Sequence, residues 1–161
     1  MGKLNKLIIS IVAGLAFLMP STALRAQTFP KVYVFGESDD ADNVSCSATH
    51  KSAIATVQAA LRSNNIEIEY SSDAYSYMQA YVNVVVVKPS NICAISWSFS
   101  LQNNQYIEDQ FLKKSLFTKI VYCTKGGIFT GSASQVYSDL LLVMKDMTNE
   151  CVSSYYENIK K

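Results

Sequence analysis

The sequence predicts a two-layer α+β sandwich, in which a largely antiparallel sheet of four to five strands is covered on one face by two helices. Two segments carry apolar residues at steps of three and four, which is typical of amphipathic helices. Between them, shorter segments alternate apolar and polar residues or are rich in β-branched residues, which is typical of strands. Since the connections between the middle strands are of hairpin length, and since each helix is apolar on one side, both helices should cover the same face of the sheet.

The first two elements are a strand and a helix. "KVYVFG" (31–36) is β-branched and aromatic and predicts a strand, after which the acidic "ESDDADN" is a loop. Residues 45–63 predict a helix that ends at "SNN". Its apolar face consists of Cys46, His50, Ala53, Ile54, Val57, Ala60 and Leu61.

The middle of the chain predicts three strands. "IEIEY" (66–70) alternates and places Ile66, Ile68 and Tyr70 on the buried face. "AYVNVVVVK" and "ICAISWSFSLQ" are two further strands joined by a turn at "PSN". In the second of these, the apolar face consists of Cys93, Ile95, Trp97, Phe99 and Leu101.

The last third predicts a strand and a long helix. The polar "NNQYIEDQFLKKS" is interpreted as a connection with at most a helical turn, "LFTKIVYCTK" (116–125) as a strand, and "GG" as a turn that leaves room for a short strand at "IFT". Ser132 and Gln135 have the spacing of a capping box. The helix that follows, with a bend or a pause expected near "TNE", has its apolar stripe at Val136, Leu140, Val143, Met144, Met147, Cys151, Tyr155 and Ile159.

Residues 1–26 have the layout of a secretory signal peptide. Two lysines precede an apolar run from Leu7 to Met19, which is shorter than the roughly 20 residues of a membrane span. Cleavage is expected after Ala26 or after Ala23, and residues 27–161 then form a single domain. The membrane is expected to be involved only through this segment during export, and the localisation is periplasmic or secreted.

The mature chain has no charge pattern for nucleic acid. Without residues 1–26 it carries eleven basic and thirteen acidic side chains, and lysine and arginine are not clustered. A nucleic-acid partner is therefore not expected. A chain of this size can bury an adequate core without a metal.

Four cysteines, Cys46, Cys93, Cys123 and Cys151, remain after export. An even number in an oxidising compartment predicts two disulfides, and there is no C-x-x-C that would indicate a zinc or redox motif. Because each helix and each of two strands carries one cysteine on its apolar face, the economical pairing is Cys46 with Cys93 and Cys123 with Cys151. Spacing alone leaves the other two connectivities open.

Cys46 and His50 are one helical turn apart and raise three alternatives. They could be a nucleophile with its base, half of a metal site, or a disulfide half with a packed histidine. Oxidation of the thiol would prevent Cys46 from acting as a nucleophile. The chain has no other histidine, which argues against a metal site. We therefore expect no catalytic residue, no metal and no cofactor, and the protein is predicted not to be an enzyme.

Two loops resemble ligand sites only in part. The acidic residues Glu37, Asp39, Asp40 and Asp42 could offer oxygen ligands to calcium, but the glycine and distal glutamate of an EF-hand are missing. "KGGIFTGSAS" has the outer glycine spacing of a phosphate loop but lacks its lysine. The first is expected to be a solvated loop, and the glycines of the second are expected to be turn residues.

The stretch "EYSSDAYSYMQAY" supplies the candidate partner-binding residues Tyr75, Tyr77 and Met78. Tyrosine among small polar residues gives amphipathic contact area at low entropic cost, although these side chains could equally decorate the start of a strand.

The order of the elements resembles small bacterial envelope accessory domains such as the LptE-like and TolB N-terminal-like folds. That resemblance covers the layout and implies an exported accessory role without assigning any residue. The sequence therefore predicts a disulfide-stabilised, non-enzymatic domain that binds an envelope or extracellular protein partner. The alternatives are a secreted enzyme inhibitor, using a loop such as residues 71–80, and, less favoured, a small hydrolase.

Overall fold

The computed structural model describes residues 28–37, 46, 50–71, 78–87 and 92–159. Among these, the chain forms β1 (Val32–Glu37), α1 (His50–Ser63), β2 (Ile68–Glu69), β3 (Met78–Val87), β4 (Cys93–Asp109), β5 (Lys114–Gly131) and α2 (Ala133–Ile159). The signal peptide expected at residues 1–26 and the acidic residues Asp39, Asp40 and Asp42 lie outside the described residues.

The predicted α+β fold is confirmed. The five strands form one sheet in the order β2-β1-β3-β4-β5. β3, β4 and β5 pair antiparallel over long ladders, whereas the shorter β1 pairs parallel with both β2 and β3. α1 is the crossover that connects the parallel strands β1 and β2.

Both helices pack on the same face of the sheet. α1 contacts β1 and β3, α2 contacts β4 and β5, and the helices contact each other. The core between the layers includes Phe99, Ile95 and Leu101 from β4 together with Leu61 from α1 and Leu140 from α2. Alternate residues of the strands face this core, so the remaining ones lie on a face that no described helix covers.

α1 ends as the polar "SNN" predicts. Asn65 adopts a left-handed backbone conformation with φ 58°, and the N–H of Ile66 donates to the carbonyl of Leu61 at 3.0 Å. This is the 6→1 bond of a Schellman cap, and it turns Ile66 into the core, where its side chain is 3% exposed. The side-chain amide of Asn64 then donates to Asn149 of α2 at 2.8 Å and connects the two helices.

α2 begins at the predicted cap and continues without a break. The Ser132 hydroxyl accepts the N–H of Gln135 at 3.3 Å, as an N-cap does. The side chain of Gln135 turns forward to Asp139 instead of back to Ser132, so the reciprocal half of the capping box does not form. α2 is not interrupted near "TNE", where the buried Thr148 hydroxyl donates to the Met144 carbonyl within the helix.

Three predictions about local structure were wrong. Residues 103–115 are not a simple connection, because β4 runs to Asp109 and β5 starts at Lys114. Gly126 and Gly127 are not turn residues: both lie inside β5, and the indole of Trp97 covers Gly127, where a Cβ atom would stand 3.2 Å from the Trp97 Nε1. Tyr70 does not face the core but is exposed and accepts a hydrogen bond from Arg62.

Candidate functional site

The thiols of the candidate Cys46–His50 pair and of the other cysteines are consumed in disulfides. Cys46 is bonded to Cys93, and Cys123 to Cys151, with Cα atoms 5.7 Å and 5.5 Å apart. These are the two pairs expected from the sequence, in which each bond joins the predicted helix and strand cysteines of one half of the chain. A disulfide sulfur cannot act as a thiolate nucleophile, so Cys46 and His50 do not form a nucleophile and base in this state. The described residues contain no group of three or more side chains suited to hold a metal ion.

The structure describes one of the three predicted contact residues. Tyr75 and Tyr77 lie outside the described residues. Met78 is not available to a partner, because it begins β3 on the helix side of the sheet and is only 2% exposed. The strand alternation that places Ala80 and Val82 in the core places Met78 there too, which the tyrosine-rich context in the sequence concealed.

The face of the sheet that no described helix covers carries a row of aromatic side chains. Tyr33 and Phe35 of β1 are stacked with ring centroids 5.6 Å apart, and Phe35 contacts Tyr81 of β3 at 5.1 Å. The Tyr81 hydroxyl donates to the Glu37 carboxylate at 3.1 Å. Burial raises the pKa of Tyr81, and the hydrogen bond and negative charge of Glu37 raise it further. Tyr81 is therefore held as a neutral phenol with a fixed orientation.

Amide side chains lie beside the aromatic row. Gln102 of β4 donates to the Oε1 of Gln79 on β3 at 3.2 Å, and the Ser100 hydroxyl contacts the Gln102 Oε1 at the same distance. Both glutamines are almost fully buried even though they lie on the face without helices. In such a pair, the N–H group of one amide donates to the oxygen of the other, which restricts the orientation of both side chains.

A shallow groove of about 560 Å³ lies across this face. It crosses four strands and is lined by Phe35, Tyr81, Ser98, Ser100, Gln102, Lys119, Val121 and Thr124. The lining combines hydroxyl groups and the Gln102 amide with the apolar side chains of Phe35 and Val121, and Lys119 contributes a positive charge. We call this surface the open face groove.

The long hairpin formed by β4 and β5 extends beyond the rest of the sheet. Among the described residues, β3 pairs with β4 only as far as Asn103, and residues 104–109 pair with β5 alone. At the usual strand rise, this extension is about 20 Å long. Tyr106 contacts Phe117 on the same face as the groove, with ring centroids 5.1 Å apart. Large exposed apolar side chains are concentrated here: Tyr106, Ile107, Phe111, Leu112, Leu116 and Phe117.

The tip of the hairpin is a closed turn. Asp109 Oδ1 accepts the N–H groups of Phe111 and Leu112, both at 2.8 Å, and the Asp109 carbonyl accepts the N–H of Lys113, also at 2.8 Å. Lys113 has φ 49°, in the left-handed region that returns the chain into β5. The turn therefore provides acceptors for three of its own backbone N–H groups, while the side chain of Phe111 is 98% exposed.

No family model matches the chain, and no curated protein matches it. Among solved structures, the chain is similar to a PelC dodecamer from Paraburkholderia phytofirmans, with 16% identity over 78% of this chain and 88% of the other, and a TM-score of 0.34. It is also similar to a leucine-to-methionine variant of that dodecamer, with 14% identity over 78% of this chain and 87% of the other, and a TM-score of 0.35. These scores are too low to support a conclusion about this chain.

The two disulfides fit a disulfide-stabilised domain of an oxidising, extracytoplasmic compartment. None of the helices in the described part of the chain is both long enough and apolar enough to cross a membrane.

Proposed function

We propose that the protein is a non-enzymatic domain that binds an envelope or extracellular protein partner through the open face groove. The observation that supports this most directly is the division of the molecule into two faces. Both helices and both disulfides are on one side, while a fixed surface of aromatic, amide and hydroxyl groups is on the other. A face of this composition, continuous with exposed apolar side chains, is typical of interaction surfaces.

The chemistry of the lining indicates the kind of partner. Lys119 in the lining and Glu37 on β1 are single charges of opposite sign, and the Glu37 carboxylate accepts the hydrogen bond of Tyr81. Strongly charged partners would gain little here, whereas an apolar, weakly charged protein surface would cover Phe35 and Val121 and bond to the hydroxyls and amides. The proposed occupant is therefore a protein partner with such a surface.

The proposal includes export to the periplasm or the exterior. Residues 1–26 would be removed during export, with cleavage after Ala26 or Ala23, and the disulfides would form afterwards. Sequencing the amino terminus of the protein isolated from its native compartment tests this part. A start at residue 27 or 24 supports it, and an intact Met1 contradicts it.

Site-specific crosslinking tests the contact surface. A photoreactive residue replaces Thr124 in the groove in one variant and the exposed Lys145 on α2 in the control. The groove variant should crosslink one protein in the native compartment, and the control should not. The crosslinked protein is then identified and purified for a direct binding measurement.

The binding measurement uses matched substitutions. Val121→Lys in the groove and Leu142→Lys on α2 each place a charge at an exposed apolar position. Val121→Lys should weaken binding by about tenfold or more, as expected for a central contact, and Leu142→Lys should change it by less than about twofold. Equal effects, or crosslinks from both faces, would exclude the open face groove as the binding surface.

A further inference from the structure

We infer that the tip of the β4–β5 hairpin inserts into the surface of a phospholipid bilayer with zwitterionic headgroups. The inserted side chains are Phe111 and Leu112, which are 98% and 60% exposed. Neither belongs to the open face groove, so this contact is separate from the proposed partner site.

The first argument is the distribution of apolar side chains around the hairpin. Strand alternation and the register place the pair Tyr106 and Phe117 on one face and the pair Ile107 and Leu116 on the other. A docked protein covers one face of a projection. A lipid surface surrounds it, and it therefore fits a projection that is apolar on both faces and at its end.

The second argument is the backbone of the tip. A polar group that enters an apolar medium without a partner is costly. The N–H groups of Phe111 and Leu112 are both accepted by Asp109, so insertion of these two residues leaves neither donor without a partner.

The third argument is the charge directly behind the tip. A hollow of about 260 Å³ is lined by Glu108, Asp109, Gln110, Lys113, Lys114 and Ser115. Its two carboxylates and two ammonium groups would lie at the level of the lipid headgroups when the tip is inserted in the bilayer. A zwitterionic headgroup presents a phosphate to the lysines and a cationic ammonium group to the carboxylates, which is complementary to both signs. These charges set the depth of insertion: Phe111 and Leu112 enter the bilayer, and the two apolar pairs behind the charges lie at the outer edge of the headgroup layer.

Vesicle flotation tests the inference with the protein produced by export from its full sequence. Vesicles of phosphatidylethanolamine and phosphatidylcholine should carry the protein upward in a density gradient. Adding phosphatidylglycerol should change the bound fraction by less than about twofold, because the charges behind the tip balance. A protein that does not float with the zwitterionic vesicles, or that floats only with anionic ones, contradicts the inference.

Two leucines provide a matched pair of variants, since Leu112 at the tip and Leu142 on α2 are both 60% exposed. Leu112→Asp should lower the partition coefficient by about tenfold or more, and Leu142→Asp by less than about twofold. Equal losses would show that the tip has no special role. Val121→Lys in the groove should leave flotation unchanged, so failure of the partner proposal and failure of the lipid inference are distinguishable.

Fluorescence supplies an independent readout. The chain has one tryptophan, Trp97, which is buried in the core. In a Phe111→Trp variant, the additional emission should shift to shorter wavelength when zwitterionic vesicles are added. A spectrum that does not respond to vesicles overturns the inference, as does a shift that depends only on protein concentration, which would indicate a second copy of this chain as the occupant.

Discussion

Cys123 and Cys151 join the edge strand β5 to the C-terminal half of α2, at the point where the β4–β5 ladder is irregular. The register shifts between Leu101 and Gln102, so that Tyr122 is the extra residue of a bulge. Tyr122 contacts Tyr155 of α2 with ring centroids 5.2 Å apart, while the adjacent Cys123 forms the disulfide. The bulge therefore allows two consecutive residues of one strand to contact the same helix.

Removing this disulfide should lower stability. In the chain-entropy model, a loop of the length closed by Cys123 and Cys151 contributes about 3.5 kcal/mol. The double substitution Cys123→Ala and Cys151→Ala should lower the free energy of unfolding by about 3 kcal/mol in urea titrations. The double alanine variant of Cys46 and Cys93, whose loop of 47 residues is longer, should lose slightly more. A loss below about 1 kcal/mol in both variants would be inconsistent with this account.

Gly36 should not tolerate a side chain. A Cβ atom there would stand 2.5 Å from the backbone oxygen of Val82 on the paired strand and 3.1 Å from Ile54 of α1. Since the paired backbone cannot retreat without loss of ladder hydrogen bonds, Gly36→Ala should destabilise the fold by about 1–3 kcal/mol. Gly131→Ala is the control, because the nearest atom to its Cβ would be at 3.7 Å. Thermal unfolding of both variants decides the question, and equal melting temperatures would refute the steric explanation.

The Tyr81 phenol should respond to the Glu37 charge. Burial is the largest cause of its raised pKa, followed by the hydrogen bond and charge of Glu37. Glu37→Gln should therefore lower the pKa of Tyr81 without returning it to its ordinary value, as followed by NMR of labelled tyrosine. Glu108→Gln, on the distant hairpin, should leave it unchanged. A Tyr81 titration that is the same in all three proteins would contradict this assignment.

The same pKa gives a direction for the pH dependence of stability. Because the folded state holds the Tyr81 proton more tightly than the unfolded state, its stabilising contribution is complete below the unfolded pKa of about 10. It is lost as the pH rises through the higher folded pKa. Urea titrations at increasing alkaline pH should show a steeper loss of stability in the wild type than in Glu37→Gln.

Asp109 should control the order of the hairpin tip. Asp109→Ala removes the acceptor for the N–H groups of Phe111 and Leu112, and both amides should then exchange with solvent faster in NMR hydrogen-exchange measurements. Asp109→Asn keeps an oxygen acceptor and should retain most of the protection. Faster exchange in both variants to the same extent would mean that the charge, and not the acceptor, orders the turn.

The sequence predicts those parts of the fold in which one buried face makes apolar residues recur at regular steps along the chain. Cys93, Ile95, Trp97, Phe99 and Leu101 alternate with small residues, and all five are buried as expected. The same logic explains why the hairpin extension was missed. Neither of its faces is buried, so no alternation marks Tyr106 and Ile107 as strand residues.

Other features depend on partners that are distant in sequence. Two adjacent glycines usually indicate a turn, but Gly127 lies in a strand, where the absence of a side chain leaves room for the Trp97 indole. β1 pairs parallel with β2 and β3, but the pattern of apolar residues in these strands does not indicate the direction of pairing. The groove was missed for a related reason: Phe35, Tyr81 and Lys119 come from three strands, and only the strand order brings them together.

The two-faced architecture has a genetic consequence. Residues that determine folding, including both disulfides, lie between the sheet and the helices, whereas the open face groove and the hairpin tip contribute little to the core. Loss-of-function alleles should therefore fall into two groups, one that reduces the amount of protein and one that leaves normal amounts of inactive protein. Stabilising second-site changes should rescue the first group and not the second. A suppressor screen would therefore identify the residues of the open face groove and the hairpin tip that are needed for function.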